Sequence, residues 1–519
     1  MSVSTVRTDV ARLVAEFVTA PPGRVEEEYR RLVGKVWHAG RATDSALPAV
    51  PHLVAEMERA GADRQGYLAI ALGLLAESEY PATDGPLCSA VRQGLDVYLN
   101  LLSGCTKREP RTLALLYLLS HFPGDRDRIM TAVEPLDLDA DDLSRLDRSL
   151  QRLDPEDPDL GRVWPSPSVW RLTEEERRYD RERIRTLTPQ QVITNWENDT
   201  RTVLGYSGAK AYWAVRHGMP APLPPQPDSY DPPPAPELDL DAFARHADLL
   251  RCPACRGGVT FGEGHARCDS CATAYPVARG ILDFSAGVKN TTFGAERTAD
   301  EATADLLQKL AEMPSMGLYY ESVLRPAFLR IAGGNWGGGM TPRDEDDYIA
   351  EHLADTEGPV LDLAAGAGRW TSVVARTVGA DRLIALDMGL PMLTVLRGRL
   401  PEVPAVRASA LDLPFKDASL GAVNCWNALQ AFPDDAATAI SEMGRVLRPG
   451  GRLTMMTFLF DPDPVTRYFQ SSHFFPSRPQ GMLLFEREEI RRWLTEAGMR
   501  IRHMSGPGTF ILITAERES

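Results

Sequence analysis

Residues 358–370 read GPVLDLAAGAGRW, and this stretch decides how the C-terminal part of the chain folds. It starts as an apolar run typical of a buried strand, passes through a loop of small residues, and leads into a helical pattern that begins at Thr371. Small residues let the backbone approach a ligand where a larger side chain would collide, and the start of the following helix adds a favourable dipole. The stretch therefore predicts a ligand-binding turn between a strand and a helix.

Three further elements follow this turn in order. A second predicted strand, LIAL, ends in Asp387, nineteen residues after Gly368. A carboxylate at this place can accept both hydroxyls of a ribose, as in dinucleotide-binding folds. A third strand leads to ASALDLPF at residues 408–415, and the apolar run LGAVNCW follows at 420–426. Residues 445–453, RVLRPGGRL, indicate a helix end, a turn and a new strand.

In order and spacing these elements resemble the class I S-adenosylmethionine (SAM)-dependent methyltransferases of the methyltransferase-11 type. The resemblance covers roughly residues 359–460 and extends more weakly to the end of the chain. It implies a Rossmann-like α/β domain with a seven-stranded sheet over residues 358–519, and SAM as the cofactor. Matching positions imply a set of cofactor-binding residues: Asp362 to orient the loop, Ala364, Gly366 and Gly368 for the methionine part, Asp387 for the ribose, Ser409, Ala410 and Leu411 for the adenine, Asn427 for the methionine ammonium, and Met388 as a further cofactor contact.

The sequence departs from the family pattern at two of these positions. Ala364 stands at the usual first glycine, and Ser409 replaces an acidic residue that often receives the adenine amine. Alanine fits there if its φ angle stays negative, and a serine hydroxyl can still bond to adenine. We therefore expect SAM binding to be retained at reduced affinity.

Four of the seven cysteines lie within twenty residues and form two C-x2-C pairs separated by twelve residues. Two such pairs can supply the closed tetrahedral sulfur set of a structural zinc site, which leaves no position open for chemistry. An iron–sulfur cluster and four unligated thiols are the alternatives, and His265, between the pairs, is expected in a loop. With the tail YPVARGI at 275–281, residues 246–290 resemble the zinc ribbon of the guanine-specific 23S ribosomal RNA methyltransferases. The predicted metal ligands are Cys252, Cys255, Cys268 and Cys271.

Residues 1–218 show helical periodicity without strand-like alternation. The helical stretches come in pairs, with turns around residues 61–63 and 124–125 and a period of roughly forty residues. This pattern resembles a HEAT-like solenoid, and an irregular helical bundle gives the same pattern. The following residues 219–245 contain the proline-rich stretch MPAPLPPQPDSYDPPPAPELD, which predicts a stiff linker.

Two regions could contribute to the acceptor side of the site. Residues 291–357 are predicted to form a helical lid or connector with a glycine-rich turn, and its candidate pocket residues are Tyr319, Tyr320, Arg325 and Trp336. An aromatic stripe at helical spacing is more often part of a core, which is the alternative for these residues. The insertion at 461–480, DPDPVTRYFQSSHFFPSRPQ, is a candidate acceptor pocket. His473 is the candidate general base because imidazole titrates near neutrality, with an ordinary surface histidine as the alternative, and Tyr320 is the second candidate catalytic residue.

Charge and hydropathy limit the partners. The formal net charge of −15 disfavours a nucleic acid, whose affinity depends on lysine and arginine. We find no apolar run of the ~18 residues that span a membrane and no secretory signal pattern, so we expect a cytoplasmic protein. The sequence favours methyl transfer to a specialised metabolite or modified peptide; an RNA base methyltransferase and an inactive SAM-fold binding module are the alternatives. The oligomeric state stays open.

Overall fold

The computed structural model describes residues 3–154, 185–222, 241–262, 264–285, 325–474 and 481–519, together with five positions between 174 and 184. The chain divides into two compact units. Unit 1 comprises Met1–Leu223 and Asp461–Met482, and unit 2 comprises Pro224–Phe460 and Leu483–Ser519. The range 358–519, predicted as one methyltransferase domain, is thus interrupted by a segment that belongs to the N-terminal unit.

Unit 1 is built from helices and one short hairpin. Its helices are α1 (Val3–Thr19), α2 (Val25–Val36), α3 (Ala46–Arg59), α4 (Ala62–Glu77), α5 (Pro86–Arg92), α6 (Leu95–Ser103), α7 (Pro110–Leu119), α8 (Arg126–Val133), α9 (Ala140–Leu150), α10 (Pro189–His217) and α17 (Pro464–Gln470). The hairpin pairs β1 (Trp37–His38) with β2 (Arg41–Ala42), and it is the one interruption of the helical pattern among the described residues of this unit.

The centre of unit 1 is formed by α4 and α7, whose residues are buried on nearly all sides. A helix that is buried all round lies at the centre of a bundle, whereas each repeat of a solenoid contacts only its neighbours. Helix α10 contacts both α4 and α7 although the three are distant in the chain. The HEAT-like arrangement is therefore not confirmed. Periodicity failed to separate the two arrangements because it reports which face of a helix is apolar, not which helix covers it.

The inserted segment is held on α10. Its residues Val465 and Phe469 are fully buried in unit 1. Helix α10 has glycines where the segment approaches: a Cβ on Gly205 would lie 2.1 Å from the Cβ of Ser472, and one on Gly208 would lie 2.3 Å from Cε1 of Phe469. Because no side chain fits at either glycine, the close approach of the segment depends on them.

Unit 2 contains one continuous sheet with helices beside it. The strands are β3 (Val259–Gly262), β4 (His265–Cys268), β5 (Ala274–Ala278), β6 (Ile281–Asp283), β7 (Val360–Leu363), β8 (Leu383–Asp387), β9 (Ala405–Arg407), β10 (Leu420–Trp426), β11 (Leu447–Phe458), β12 (Met499–Ser505) and β13 (Phe510–Arg517). The helices are α11 (Asp241–Ala244), α12 (Arg325–Ile331), α13 (Pro342–Leu353), α14 (Thr371–Val378), α15 (Leu390–Arg399), α16 (Ala436–Val446) and α18 (Arg487–Glu496).

The order of the strands contains the predicted seven-stranded sheet. The seven strands run β12-β13-β11-β10-β7-β8-β9, in which β7 to β11 are parallel to one another and β13 is antiparallel to β11 and β12. Open parallel sheets bind ligands at the carboxyl ends of their strands, where the order reverses. This places the loops after β7 and β8 at the expected ligand edge.

The cysteine-bearing strands extend this sheet. Strand β6 pairs in parallel with β9, and β5, β4 and β3 follow antiparallel to one another. The order β9-β6-β5-β4-β3 therefore makes the ribbon part of the main sheet, whereas the sequence predicted a separate small module.

In the described part of both units, no helix has the length and hydropathy needed to cross a membrane.

Candidate cofactor site and metal centre

The loop after β7 has left-handed backbone at every second residue: φ is +55° at Ala364, +55° at Gly366 and +90° at Gly368. At Gly368 a Cβ would also lie 3.0 Å from Cγ of Leu396. The condition stated for an alanine at this position, a negative φ, is not met at Ala364. The loop has the turn that a glycine usually makes, and an alanine in this conformation costs about 1 kcal/mol.

Asp387 joins the loops after β7 and β8. Its Oδ2 accepts a hydrogen bond of 2.9 Å from the amide of Gly366, and its Oδ1 accepts one of 2.8 Å from the amide of Gly389. Burial raises the pKa of Asp387 above its usual range, and the neighbouring backbone amides oppose this rise. A carboxylate offers about four acceptor positions, and the backbone amides do not use all of them, so acceptor capacity remains for a ribose hydroxyl. The remaining acceptor capacity of Asp387 thus fits the ribose of the predicted cofactor.

Asp362 lies at the end of β7 and is fixed from two sides. Its Oδ2 accepts from the hydroxyl of Thr371 at 2.5 Å, and its Oδ1 accepts from Nδ2 of Asn424 at 2.7 Å. The Asn424 Oδ1 accepts in turn from the hydroxyl of Thr454 at 2.9 Å. Burial raises the pKa of Asp362 to about 6, while its two hydrogen bonds oppose that rise. Both oxygens are engaged by the protein and the side chain is buried, so Asp362 is placed to orient the loop and not to contact a ligand.

Three partners of this network, Thr371, Asn424 and Thr454, were not predicted from the sequence. A signal for two of them exists, since Asn424 and Thr454 are polar residues inside apolar strands. A polar side chain buried in a sheet needs a hydrogen-bond partner, and the carboxylate of the neighbouring strand supplies it. Strand pairing, which places Asn424 opposite Asp362, was the missing information.

The predicted adenine and ribose residues lie at the ends of β8 and β9. The Oγ of Ser409 accepts from the amide of Leu411 at 3.1 Å, which leaves the hydroxyl hydrogen for another acceptor. The carbonyl of Met388 accepts from Nε of Arg407 at 3.1 Å. Ser409, Ala410 and Leu411 are each half-buried, as expected of a wall that a ligand could cover.

Asn427 follows β10 with a φ of +57°, a conformation that asparagine tolerates better than most residues. Its amide donates to the carbonyl of Met456 at 2.9 Å. Nε2 of Gln430 donates to the carbonyl and to Oδ1 of Asn427, both at 2.8 Å. Gln430 therefore orients the side chain that the sequence assigns to the methionine ammonium, and it was not predicted.

The candidate lid residues are only partly described. Tyr319 and Tyr320 lie outside the described residues. Arg325 forms a buried ion pair with Glu345 at 2.5 Å, and the same carboxylate accepts from Nε1 of Trp370 at 2.8 Å. Trp336 is also buried. Arg325 and Trp336 thus lie in the interior, as the core interpretation predicts. Glu345, on α13, joins Arg325 of α12 to Trp370, the last residue of the stretch 358–370.

His473, the candidate general base, lies in the inserted segment and belongs to unit 1, whereas the candidate cofactor residues belong to unit 2. Its side chain is buried, and burial lowers the pKa of His473 to about 4. The histidine is therefore neutral at physiological pH and is a weaker base than a solvated imidazole. It is not a surface residue. Its role as a base stays a prediction.

The four cysteine sulfurs lie within 4.8 Å of one another. Sγ of Cys252 is 3.7 Å from Sγ of Cys271, and Sγ of Cys255 is 3.3 Å from Sγ of Cys268. A tetrahedral zinc ion with Zn–S bonds of about 2.3 Å spaces its sulfurs by about 3.8 Å. The donor set and its spacing therefore fit such an ion.

The two C-x2-C pairs share one backbone conformation. The amide of Arg256 donates to the carbonyl of Cys252 at 2.8 Å, and the amide of Ala272 donates to the carbonyl of Cys268 at 3.1 Å. Arg256 and Ala272 have φ values of +68° and +60°. Equivalent turns direct both pairs of thiols toward one point. His265 is in strand β4, not in a loop as expected.

Comparison with known proteins finds similarity in the part of the chain that contains the candidate cofactor site. Residues 360–451 match the family described as a methyltransferase domain. An uncharacterized chloroplastic methyltransferase of Arabidopsis thaliana is 26% identical over 41% of this chain and 62% of its own length. The ubiquinone/menaquinone biosynthesis C-methyltransferase of Hahella chejuensis is 34% identical over 27% of this chain and 58% of its own length. The chain thus spans less than two thirds of either relative.

Among solved structures, the 1,6-didemethyltoxoflavin-N1-methyltransferase of Burkholderia thailandensis, with its substrate and S-adenosylhomocysteine bound, is 22% identical. The similarity covers 38% of this chain and 89% of that one, with a TM-score of 0.28. The family match, in contrast, covers β7 to β10, including the strands that carry Asp362 and Asp387 and the loops that follow them. The sheet and this match define a Rossmann-like methyltransferase domain within unit 2.

Proposed function

We propose that the chain is a SAM-dependent methyltransferase that acts on a small molecule, a specialised metabolite, or on a modified peptide. The observation that carries the proposal is the carboxylate of Asp387. It bridges the amides of Gly366 and Gly389 at the ligand edge of a parallel sheet and keeps acceptor positions for a ribose. The family match over the same residues supports this assignment.

The residues of this chain would hold the cofactor along the carboxyl ends of β7 to β10. The loop of Ala364, Gly366 and Gly368 would line the methionine part, and Asn427, oriented by Gln430, would meet the ammonium group. SAM supplies a sulfonium-bound methyl carbon for in-line displacement. The protein then has two tasks, which are to align the acceptor and to exclude water. A general base is needed only if the acceptor must lose a proton.

We propose that Cys252, Cys255, Cys268 and Cys271 hold a structural zinc ion. The sulfur spacing and the paired turns support this, and four sulfur ligands leave no position for a substrate. The ion would stabilise the ribbon without taking part in methyl transfer.

A small acceptor is favoured over RNA by two observations. The formal net charge is −15, and Arg251 and Arg256, which gave the ribbon its basic character, both pair with Asp412. Arginines engaged in this way contribute less to phosphate binding. A relative that is a C-methyltransferase of quinone biosynthesis also supports a small acceptor. RNA and an inactive binding module become outcomes of the test.

The test is to incubate the full chain with methyl-labelled SAM and fractionated cell extract, with and without nuclease. We expect label in a small-molecule or peptide fraction, unchanged by nuclease, and none with Asp387→Ala. Label in a nuclease-sensitive fraction would establish the RNA alternative. SAM binding without transfer to any fraction would support the binding module.

A further inference from the structure

The ribbon touches the chain that follows the predicted adenine wall, residues 409–411. Backbone hydrogen bonds of 3.0 and 2.8 Å join residues 249–251 to residues 414–416, and Leu250 forms an antiparallel bridge with Phe415. Residues 249–251 directly precede Cys252, the first predicted metal ligand. Only two residues, 412 and 413, separate this contact from the adenine wall.

Side chains reinforce the contact at Asp412. Its Oδ1 accepts from Arg251 at 3.2 Å and forms a short ion pair with Arg256, the residue that follows Cys255. Arg251 also donates to the carbonyl of Leu413 at 3.3 Å. The residue next to the adenine wall is therefore held by one arginine beside each cysteine of the first pair.

The position of Arg256 depends on the turn around the metal ligands. Its φ of +68° is a conformation that an arginine adopts at a cost, and it is imposed by the C-x2-C turn. Metal binding supplies the free energy that closes such turns in short segments. Buried ribbon residues such as Tyr275 and Leu282 also belong to the main core of unit 2. Loss of the metal would therefore open the turn locally while unit 2 keeps its core.

We propose that the metal and SAM bind cooperatively, because the metal-closed turn uses Arg256 and Arg251 to order Asp412 and, with it, the adenine wall. The proposal rests on the proposed function, since it needs both ligands to bind. Arg256 acts here as a positioning residue. Coupling of two binding equilibria is reciprocal, so the metal must change SAM affinity by the same factor as SAM changes metal affinity.

The experiment measures both factors on the full chain. Isothermal titration gives the SAM affinity of the zinc-loaded and of the chelator-treated protein, and competition with a chromophoric chelator gives the zinc affinity with and without SAM. We expect both factors to be about tenfold, as is typical of coupled sites. Circular dichroism checks that the metal-free protein is folded.

Variants that keep all four cysteines test the route of the coupling. With zinc content unchanged, Arg256→Met should weaken SAM binding about threefold, in keeping with a half-exposed ion pair, and should reduce the coupling by the same factor. Arg256→Lys should rescue most of it because the charge is kept. The matched control is Arg267→Met, an exposed arginine of the same ribbon, which should change nothing.

Two results would overturn the proposal: equal SAM affinity with and without metal in a folded protein, or the same effect from Arg256→Met and Arg267→Met. If the metal-free protein unfolds, the variant pair decides. Absence of SAM binding to the zinc-loaded wild type would refute the proposed function instead, so the two failures are distinguishable.

Discussion

Each unit contains a buried carboxylate at the centre of a polar network, and the pKa values of the two carboxylates are shifted in opposite directions. Glu77 of unit 1 accepts hydrogen bonds from Tyr117 at 2.5 Å and Tyr468 at 2.7 Å and lies 3.4 Å from His121. Burial by itself would raise the pKa of Glu77, but its polar partners, His121 foremost, outweigh burial and lower it. In unit 2, burial outweighs the two hydrogen bonds and raises the pKa of Asp362 to about 6.

The difference shows that burial of a charge does not by itself mark a functional site. Tyr117 belongs to α7 and Tyr468 to α17, so this carboxylate holds the inserted segment within unit 1. Asp362 holds a loop whose next carboxylate, Asp387, still has acceptor positions for a ligand. The first network is structural, whereas the second supports a binding site. Four substitutions test this distinction.

The largest effect is expected from Asp387→Ala. Removing an ionised acceptor of ligand hydroxyls and loop amides should weaken SAM binding at least about 100-fold, or about 3 kcal/mol. Isothermal titration measures it. The control is Asp381→Ala, an exposed aspartate two residues before the same strand, which should bind SAM like the wild type. Equal affinities of the two variants would remove Asp387 from the site.

Glu77→Gln should affect the stability of the fold and not the affinity for SAM. Replacing a buried ionised acceptor of three polar partners should lower the free energy of unfolding by about 2 kcal/mol and leave SAM affinity unchanged. Urea denaturation and titration on the same samples measure the two quantities, with the exposed Glu58→Gln as control. A fall in SAM affinity comparable to that of Asp387→Ala would break the distinction between the networks.

His473 gives a pH-dependent effect in unit 1. Because its pKa is lowered to about 4, the unfolded chain binds a proton between about pH 4 and 6.5 that the folded chain does not. The stability contributed by the neutral, buried histidine is fully present above the pKa of His473 in the unfolded chain, about 6.5, and is lost as the pH falls toward 4. His473→Gln should reduce the slope of unfolding free energy against pH by about 1.4 kcal/mol per unit in that window. Exposed His38→Gln should not; equal slopes for both variants would contradict the burial of His473.

The smallest effect concerns Ala364→Gly. Glycine relieves the left-handed strain but adds freedom to the unfolded chain, so the net gain in stability should be about 0.5 kcal/mol, with SAM affinity equal or higher. Thermal unfolding with and without SAM measures both. The comparison variant is Ala365→Gly, at the neighbouring position without a positive φ, where we expect destabilisation. Destabilisation by Ala364→Gly would argue against the strain.

Features that depend on residues close together in the sequence could be predicted from local sequence patterns. The strand–turn–helix that starts at residue 358 and the grouping of the four cysteines each depend on residues close in sequence, and the structure contains both. The role of Asp387 stays a prediction. The φ angle of Ala364 was missed because residue type restricts a backbone angle without fixing it.

The contacts between distant segments were not predictable in the same way. The pairing of β6 with β9, the partners of Asp362 and the membership of the segment at 461–482 in unit 1 all join residues far apart in the chain. Periodicity tells which residues face a core but not which element covers them. For this reason the periodicity of residues 1–218 did not distinguish a HEAT-like solenoid from a helical bundle.

Hydrogen–deuterium exchange of the full chain with and without SAM tests the central claim most directly, because it shows both whether SAM binds and where. SAM binding at this site predicts slower exchange in peptides that cover residues 364–368, 387–389 and 409–411, and unchanged exchange in α4 and α7. Protection confined to unit 1, or no protection at saturating SAM, would contradict it.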